Sequence, residues 1–304
     1  MRLTPHDIAK MLDHSTLQPF LTDEDIRKGC ELALRYDTAS VCARPCDMPL
    51  VASLLRGSDV KVCTVIGFPH GTHRTAIKVA EAKQALADGC TELDMVINIG
   101  KLLGGDEDYV RDEIRQIVQV AHEAGALVKV ILETCYLTDA QKVTACHLSE
   151  EAGADFVKTS TGYGTKGCTI QDLQLMRRSV SERVQVKGSG GIRDLDTVLS
   201  ARAVGATRCG VSATAAIMAE AEKRYAEGTL QEVDTPRTWK AAIERQAPRA
   251  GCCALSWQNE CTSSKFTLVT ILMQRAQGRM LCAPERLGRF DKLKGNCYNK
   301  HAFP

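Results

Sequence analysis

Asp155-Phe156-Val157-Lys158-Thr159-Ser160 and Val184-Gln185-Val186-Lys187-Gly188-Ser189-Gly190-Gly191 are the two runs whose reading decides the fold. Each is short, apolar and closed by polar or glycine residues, and the chain between them has room for one helix and two loops. That is a strand–helix–strand unit, the connection that parallel strands require. Working outward, similar runs stand at MLDH around 12, ASVCA around 41, KVCTVIG around 63, ELDMVIN around 94, LVKVILE around 130 and TRCGVS around 209, with neighbours 22 to 36 residues apart. The first is the weakest, barely a strand by composition. Runs apolar on both faces imply a parallel sheet covered by helices. Eight alternating units predict an α/β chain folded as a (β/α)8 TIM barrel, since a doubly wound sheet more often uses five or six strands.

The intervening segments carry helix signals. Thr4-Pro5-His6-Asp7 sets a capping hydroxyl, a first-turn proline and an N3 carboxylate in order, predicting an N-terminal helix ahead of the first strand. Thr22 with Asp25, Thr138 with Gln141 and Thr169 with Asp172 repeat the spacing, and Asp194 with Thr197 opens a further helix. Val110, Ile114, Ile117, Val118 and Ala121 form an apolar stripe at helical period, which reads as core packing.

In a barrel of this kind the active site lies at the C-terminal ends of the strands. Lys158 and Lys187 both fall late in apolar strands, on neighbours about 4.8 Å apart, where two buried ammoniums would repel. One of them is expected to lose its proton and serve as a nucleophile toward a carbonyl. Either lysine alone reads better as one that reaches outward or pairs with a carboxylate; the coincidence of two points to chemistry. Alternation in Glu92-Leu93-Asp94-Met95-Val96 sets Glu92, Asp94 and Val96 on one face, so Asp94 is a candidate proton relay or a structural ion-pair partner. Asp13 and Glu133 are further inward candidates. Gly188-Ser189-Gly190-Gly191 and Gly210-Val211-Ser212 follow the seventh and eighth strands, where bare backbone amides and a helix start favour an anion, although a plain turn would read the same way. Together these loops imply a phosphorylated small carbonyl compound.

Composition narrows the classes. The chain is 44% hydrophobic, 25% charged and 5% aromatic over 304 residues, as expected of a soluble globular protein. Its net charge of +2 gives no reason to expect a nucleic-acid partner. No run is long and apolar enough to span a bilayer, and MRLTPHDIAKMLDH lacks the pattern of a secretory signal, so a cytoplasmic chain with no membrane partner is expected. Nine of the 14 cysteines fall in residues 1–228, mostly in apolar runs such as those around Cys63 and Cys209, and read as reduced core thiols. Cys42 and Cys46 form no CxxC pair, and His70 with His73 has no third ligand nearby, so no metal site is expected. Residues 1–228 hold 27 Lys or Arg against 31 Asp or Glu, whereas 229–304 hold 12 against 6, with Trp239, Trp257 and the remaining five cysteines. The expected organisation is therefore a barrel domain over 1–228 and a basic, Cys-containing, loosely ordered extension over 229–304.

The motifs LDHSTL, VIGFPHG, ELDMVINIG, KVILET, DFVKTSTGYG, VKGSGGIR and RCGVSAT, in this order between about residues 3 and 228, resemble the deoxyribose-phosphate aldolase family of class I aldolases. The resemblance implies reversible cleavage of 2-deoxy-D-ribose 5-phosphate to acetaldehyde and D-glyceraldehyde 3-phosphate, without a metal or organic cofactor. It makes Lys158 the Schiff-base lysine, Lys187 the neighbouring cation that lowers its pKa, and Asp94 part of a proton relay. It assigns Gly190, Gly191, Gly210 and Ser212 to phosphate binding, sets Cys42, Asp13 and Thr161 in the lining of the site, and implies a homodimer. It stops at Gly228, where the family's usual C-terminal tyrosine has no match, so the resemblance does not assign that tyrosine's role to Tyr225. Two other readings stand beside it: another Schiff-base aldolase acting on a phosphorylated sugar, and a catalytically silent barrel that binds sugar phosphates.

Overall fold

A computed structural model describes residues 2–233; the rest of the extension expected after Gly228, from 234 to 304, lies outside the described residues. Eight strands, β1 (Leu12–Thr16), β2 (Ser40–Ala43), β3 (Lys61–Ile66), β4 (Glu92–Val96), β5 (Leu127–Ile131), β6 (Phe156–Lys158), β7 (Gln185–Ser189) and β8 (Arg208–Val211), pair in sequence order and close into a parallel barrel. The helices are α1 (Pro5–Ala9), α2 (Asp23–Tyr36), α3 (Met48–Leu55), α4 (Thr75–Ala87), α5 (Ile99–Leu103), α6 (Glu107–Glu123), α7 (Asp139–Glu151), α8 (Ile170–Ser179), α9 (Leu195–Ala203) and α10 (Thr214–Ala226).

Local chemistry sets these boundaries. Full capping boxes join Thr4 to Asp7, Thr22 to Asp25 and Thr138 to Gln141, each pair satisfying two amide donors that a helix start leaves open. Thr169 and Asp194 cap α8 and α9 through the backbone amides of Asp172 and Thr197. On α6, Val110, Ile114, Ile117, Val118 and Ala121 are all buried against the barrel.

The polar β1 is nevertheless a strand, pairing β2 on one side and β8 on the other and so closing the barrel. It reads weakly because its alternating positions are spent on polar contacts: Asp13 points into a charged interior, and His14 points outward, with Nδ1 2.9 Å from Thr214 Oγ1 at the start of α10. Between sheet and helices, Lys78 of α4 and Glu113 of α6 form a fully buried ion pair at 2.8 Å. Lys78 also donates to Val96 O at 2.7 Å, and Glu113 accepts from the Asn98 amide at 3.0 Å, so the pair pins the chain leaving β4. Beyond the expected barrel end at Gly228, Leu230 is buried in the core and Gln231 forms a bridge with Arg2.

Candidate active site

In a parallel ladder, residues in register share a face. Lys158 is in register with Lys187, Asp94 with Lys129, and Lys187 with Arg208, so all five project into the barrel. Asp94 is the hub. Its Oδ2 accepts from Lys158 Nζ at 2.6 Å and from Lys187 Nζ at 2.7 Å, while Oδ1 accepts from Lys129 Nζ at 2.8 Å and from the Cys63 thiol at 3.3 Å. Lys187 also pairs with Asp13 Oδ2 at 2.5 Å, and Lys129 with Glu92 Oε2 at 2.6 Å. Beneath them Arg208 spans Asp13 at 2.5 Å and Glu92 at 2.9 Å.

Burial and charge oppose one another here. Burial pushes the Asp94 carboxyl up, but the positive charge of the lysines around it, Lys129 foremost, holds it well below the usual carboxylate range. Asp13 is likewise lowered against its burial by Lys187, Lys129 and Arg208. Burial disfavours charge on Lys187, yet Asp13 and Asp94 raise its pKa above the ordinary lysine value, so it stays a cation. The expectation of bare repulsion between Lys158 and Lys187 omitted the carboxylate that lies between them.

Above this network opens a cavity of about 200 Å³. Lys158, Lys187, Asp13, Cys42 and Thr161 line it, as do Gly190, Gly191, Gly210 and Ser212; Asp94 lies below, touching the lysines. Gly190 has φ +83°, and a Cβ there would meet Gly167 Cα at 3.1 Å. A Cβ on Gly210 would meet Ser189 Cβ at 3.0 Å, so the bare residue also makes room beside Lys187. Glu133 stands apart from the lysine network: in a left-handed conformation with φ 55°, its buried carboxylate accepts from the Thr161 amide at 3.2 Å and from the Thr161 hydroxyl, fixing the cavity wall. Tyr225, on α10, packs its ring against Arg2 and does not line the cavity.

Several residues of the site were not singled out by sequence reasoning. Lys129 is the chief one, although LVKVILE carries the same signal as the other two lysines, a cation inside an apolar strand. Alternation places Glu92 on the Asp94 face but gives it no role, and Arg208, first in β8, carries no local signal. Cys63 reads as a core thiol but lies inside the barrel; burial pushes its pKa well up, keeping it a donor to Asp94. Tyr163 roofs the cavity, its ring edge-on to Phe68 at 5.4 Å and its hydroxyl donating to Leu17 O at 2.9 Å. Arg193 is a further lining cation. Cys42, Cys63 and Asp94 bring potential metal-ligand atoms within 4.8 Å of one another, but Lys129 and Lys187 already take up the Asp94 charge, a poor setting for another cation. His70 and His73 are both exposed. No helix among the described residues is long and apolar enough to cross a membrane.

A lysine amine in a cavity, a carboxylate within reach of its proton and glycine loops fit to seat an anion point to a class, the aldolases that work through a lysine. Comparison with known proteins narrows it: the model of the DeoC/LacD family aldolases matches residues 7–219, and the chain belongs to that family. It is 52% identical over 219 residues to a deoxyribose-phosphate aldolase of Rhodopirellula baltica, covering 72% of this chain and 91% of the relative. It is 53% identical over 208 residues to the enzyme of the same name from Thermococcus gammatolerans, covering 68% and 92%. Among solved structures, the tetrameric deoxyribose phosphate aldolase from Aeropyrum pernix superposes with a TM-score of 0.68 at 34% identity, covering 72% of this chain and 93% of that one.

Proposed function

We propose that the chain reversibly cleaves 2-deoxy-D-ribose 5-phosphate to acetaldehyde and D-glyceraldehyde 3-phosphate through a Schiff base on Lys158. The family membership and the names of its relatives support the substrate. The observation that carries the mechanism is the 2.6 Å contact between Lys158 Nζ and Asp94 Oδ2, set under a cavity lined by two glycine loops.

The unprotonated Lys158 amine adds to the C1 aldehyde of the open-chain sugar, and loss of water leaves an iminium ion. Asp94 takes a proton from the amine and relays it onward, and the fixed charge of Lys187 keeps the relay polarised. Transfer of the C3 hydroxyl proton to the Asp94 relay through a water sends the electrons of the C2–C3 bond toward the iminium. That bond breaks, glyceraldehyde 3-phosphate departs, and an enamine of acetaldehyde remains on Lys158. Protonation at C2 and hydrolysis release acetaldehyde and restore the amine. The backbone around Gly190, Gly191 and Gly210, with Ser212, seats the phosphate, while Cys42, Thr161 and Asp13 shape the cavity around the reacting carbons. Lys158→Ala should abolish cleavage in a coupled assay for glyceraldehyde 3-phosphate, and wild-type turnover in that variant would refute the assignment.

Free thiols at all nine described cysteines suit a reducing compartment, the cytoplasm. A homodimer is the assembly proposed, and sedimentation velocity tests it against a monomer and against the tetramer named for the Aeropyrum pernix enzyme.

A further inference from the structure

Seven ionisable side chains meet inside the barrel: Asp13 on β1, Glu92 and Asp94 on β4, Lys129 on β5, Lys158 on β6, Lys187 on β7 and Arg208 on β8. The remaining strands, β2 and β3, contribute the thiols of Cys42 and Cys63, and the loops above add Tyr163 and Arg193 at the cavity. Within the network four bases face three acids. Unbalanced charge is costly in such an interior, so the cluster is neutral when one base gives up its proton. A guanidinium does not. Lys129 touches Glu92 and Asp94 and lies 3.9 Å from Asp13, and Lys187 touches Asp13 and Asp94, whereas Lys158 touches Asp94 alone and shares it with both.

We propose that Arg208 is a positioning residue for the Schiff-base step: from the barrel floor, outside the substrate cavity, it occupies Asp13 and Glu92 and so sets the charge balance that leaves Lys158 as the free amine. Its two contacts, at 2.5 Å to Asp13 and 2.9 Å to Glu92, join the two acids through one positive charge, and its guanidinium lies 5.8 Å from the centre of the Phe156 ring. Without that fixed charge three bases would face three acids, and the interior would accommodate Lys158 as a third ammonium. The proposal rests on the assignment of Lys158 as the Schiff-base lysine.

The test is the rate at which acetaldehyde and borohydride label Lys158, followed against pH in the wild type, Arg208→Met, Arg208→Lys and Glu92→Gln, with circular dichroism to verify folding. In Arg208→Met the acid limb of the profile should move to higher pH, lowering labelling at neutral pH by about tenfold for each pH unit moved and sparing the alkaline plateau. Glu92→Gln, which removes an acid, should move the limb the other way, and Arg208→Lys should leave it in place. A purely structural clamp would lower labelling at every pH with the limb unmoved, and that result would overturn the proposal. So would limbs moving in the same direction in Arg208→Met and Glu92→Gln. If Arg208→Met does not fold, Glu92→Gln and Arg208→Lys decide the matter: an unmoved limb in the first, or a moved one in the second, counts against it. A wild-type protein that is never labelled on Lys158 would instead remove the Schiff-base reading itself.

Discussion

Lys158 and Lys187 are partners in the β6–β7 ladder, and their Nζ atoms converge on one oxygen, Asp94 Oδ2, at 2.6 and 2.7 Å. The same carboxylate therefore holds the proposed nucleophile, fixes the neighbouring cation and lies within reach of a proton from either amine. Asp94→Asn keeps the shape and removes the charge, leaving three amines around a neutral amide. Turnover should fall by about 10²–10⁴-fold, and stability by about 3–5 kcal/mol because buried cations lose their partner. A cleavage assay and urea unfolding of the same preparation check both effects.

The buried pair behind the sheet should act on stability alone. Lys78 and Glu113 are both fully buried, 2.8 Å apart, and line no part of the catalytic cavity. Lys78→Met strands the Glu113 carboxylate, and the expected loss is about 3–5 kcal/mol. Chemical denaturation should record this loss, while KM for the sugar phosphate in the folded variant stays within about twofold of wild type.

His14 gives the fold a pH dependence of its own. Burial lowers its imidazole pKa from 6.5 to about 4. The folded protein thus binds this proton less readily than the unfolded chain does. The stability tied to His14 is complete above pH 6.5 and is lost as pH falls from there toward 4, by on the order of 3 kcal/mol. Unfolding free energies measured across this range should slope downward in the wild type and more shallowly in His14→Gln. Parallel curves would contradict the assignment.

At Gly190 a methyl group would meet backbone on both sides, with Gly167 Cα at 3.1 Å and Gly162 Cα at 3.3 Å, in a conformation that L residues resist. Gly190→Ala should therefore displace the loop proposed to seat the phosphate without touching Lys158. KM for 2-deoxyribose 5-phosphate is expected to rise about tenfold, with turnover of unphosphorylated 2-deoxyribose little changed. Equal losses on both sugars would remove the phosphate role from this loop.

The barrel was legible in the sequence because buried parallel strands leave apolar runs at regular distances, and because threonine caps such as Thr22 and Thr138 mark where helices start. β1 was nearly missed for the reason that makes it useful, since its inward Asp13 belongs to a charged interior rather than an apolar one. Lys158, Lys187 and Asp94 could be read as candidates from alternation and from the oddity of a cation in an apolar run. Lys129 is harder to find because it sits mid-strand in β5, where the network reaches deeper into the barrel than the strand ends. Arg208 meets Glu92 across 116 residues of sequence, and no local period encodes that contact. What joins them is closure of the barrel, which brings β8 and β4 within reach across its interior.

The most direct test of the central claim is mass spectrometry of the protein after treatment with acetaldehyde and sodium borohydride, with the modified peptide located by digestion. An ethyl group on Lys158, absent in Lys158→Ala, is the predicted result. Folded protein without an adduct, or with its adduct on Lys129 or Lys187, would contradict the account.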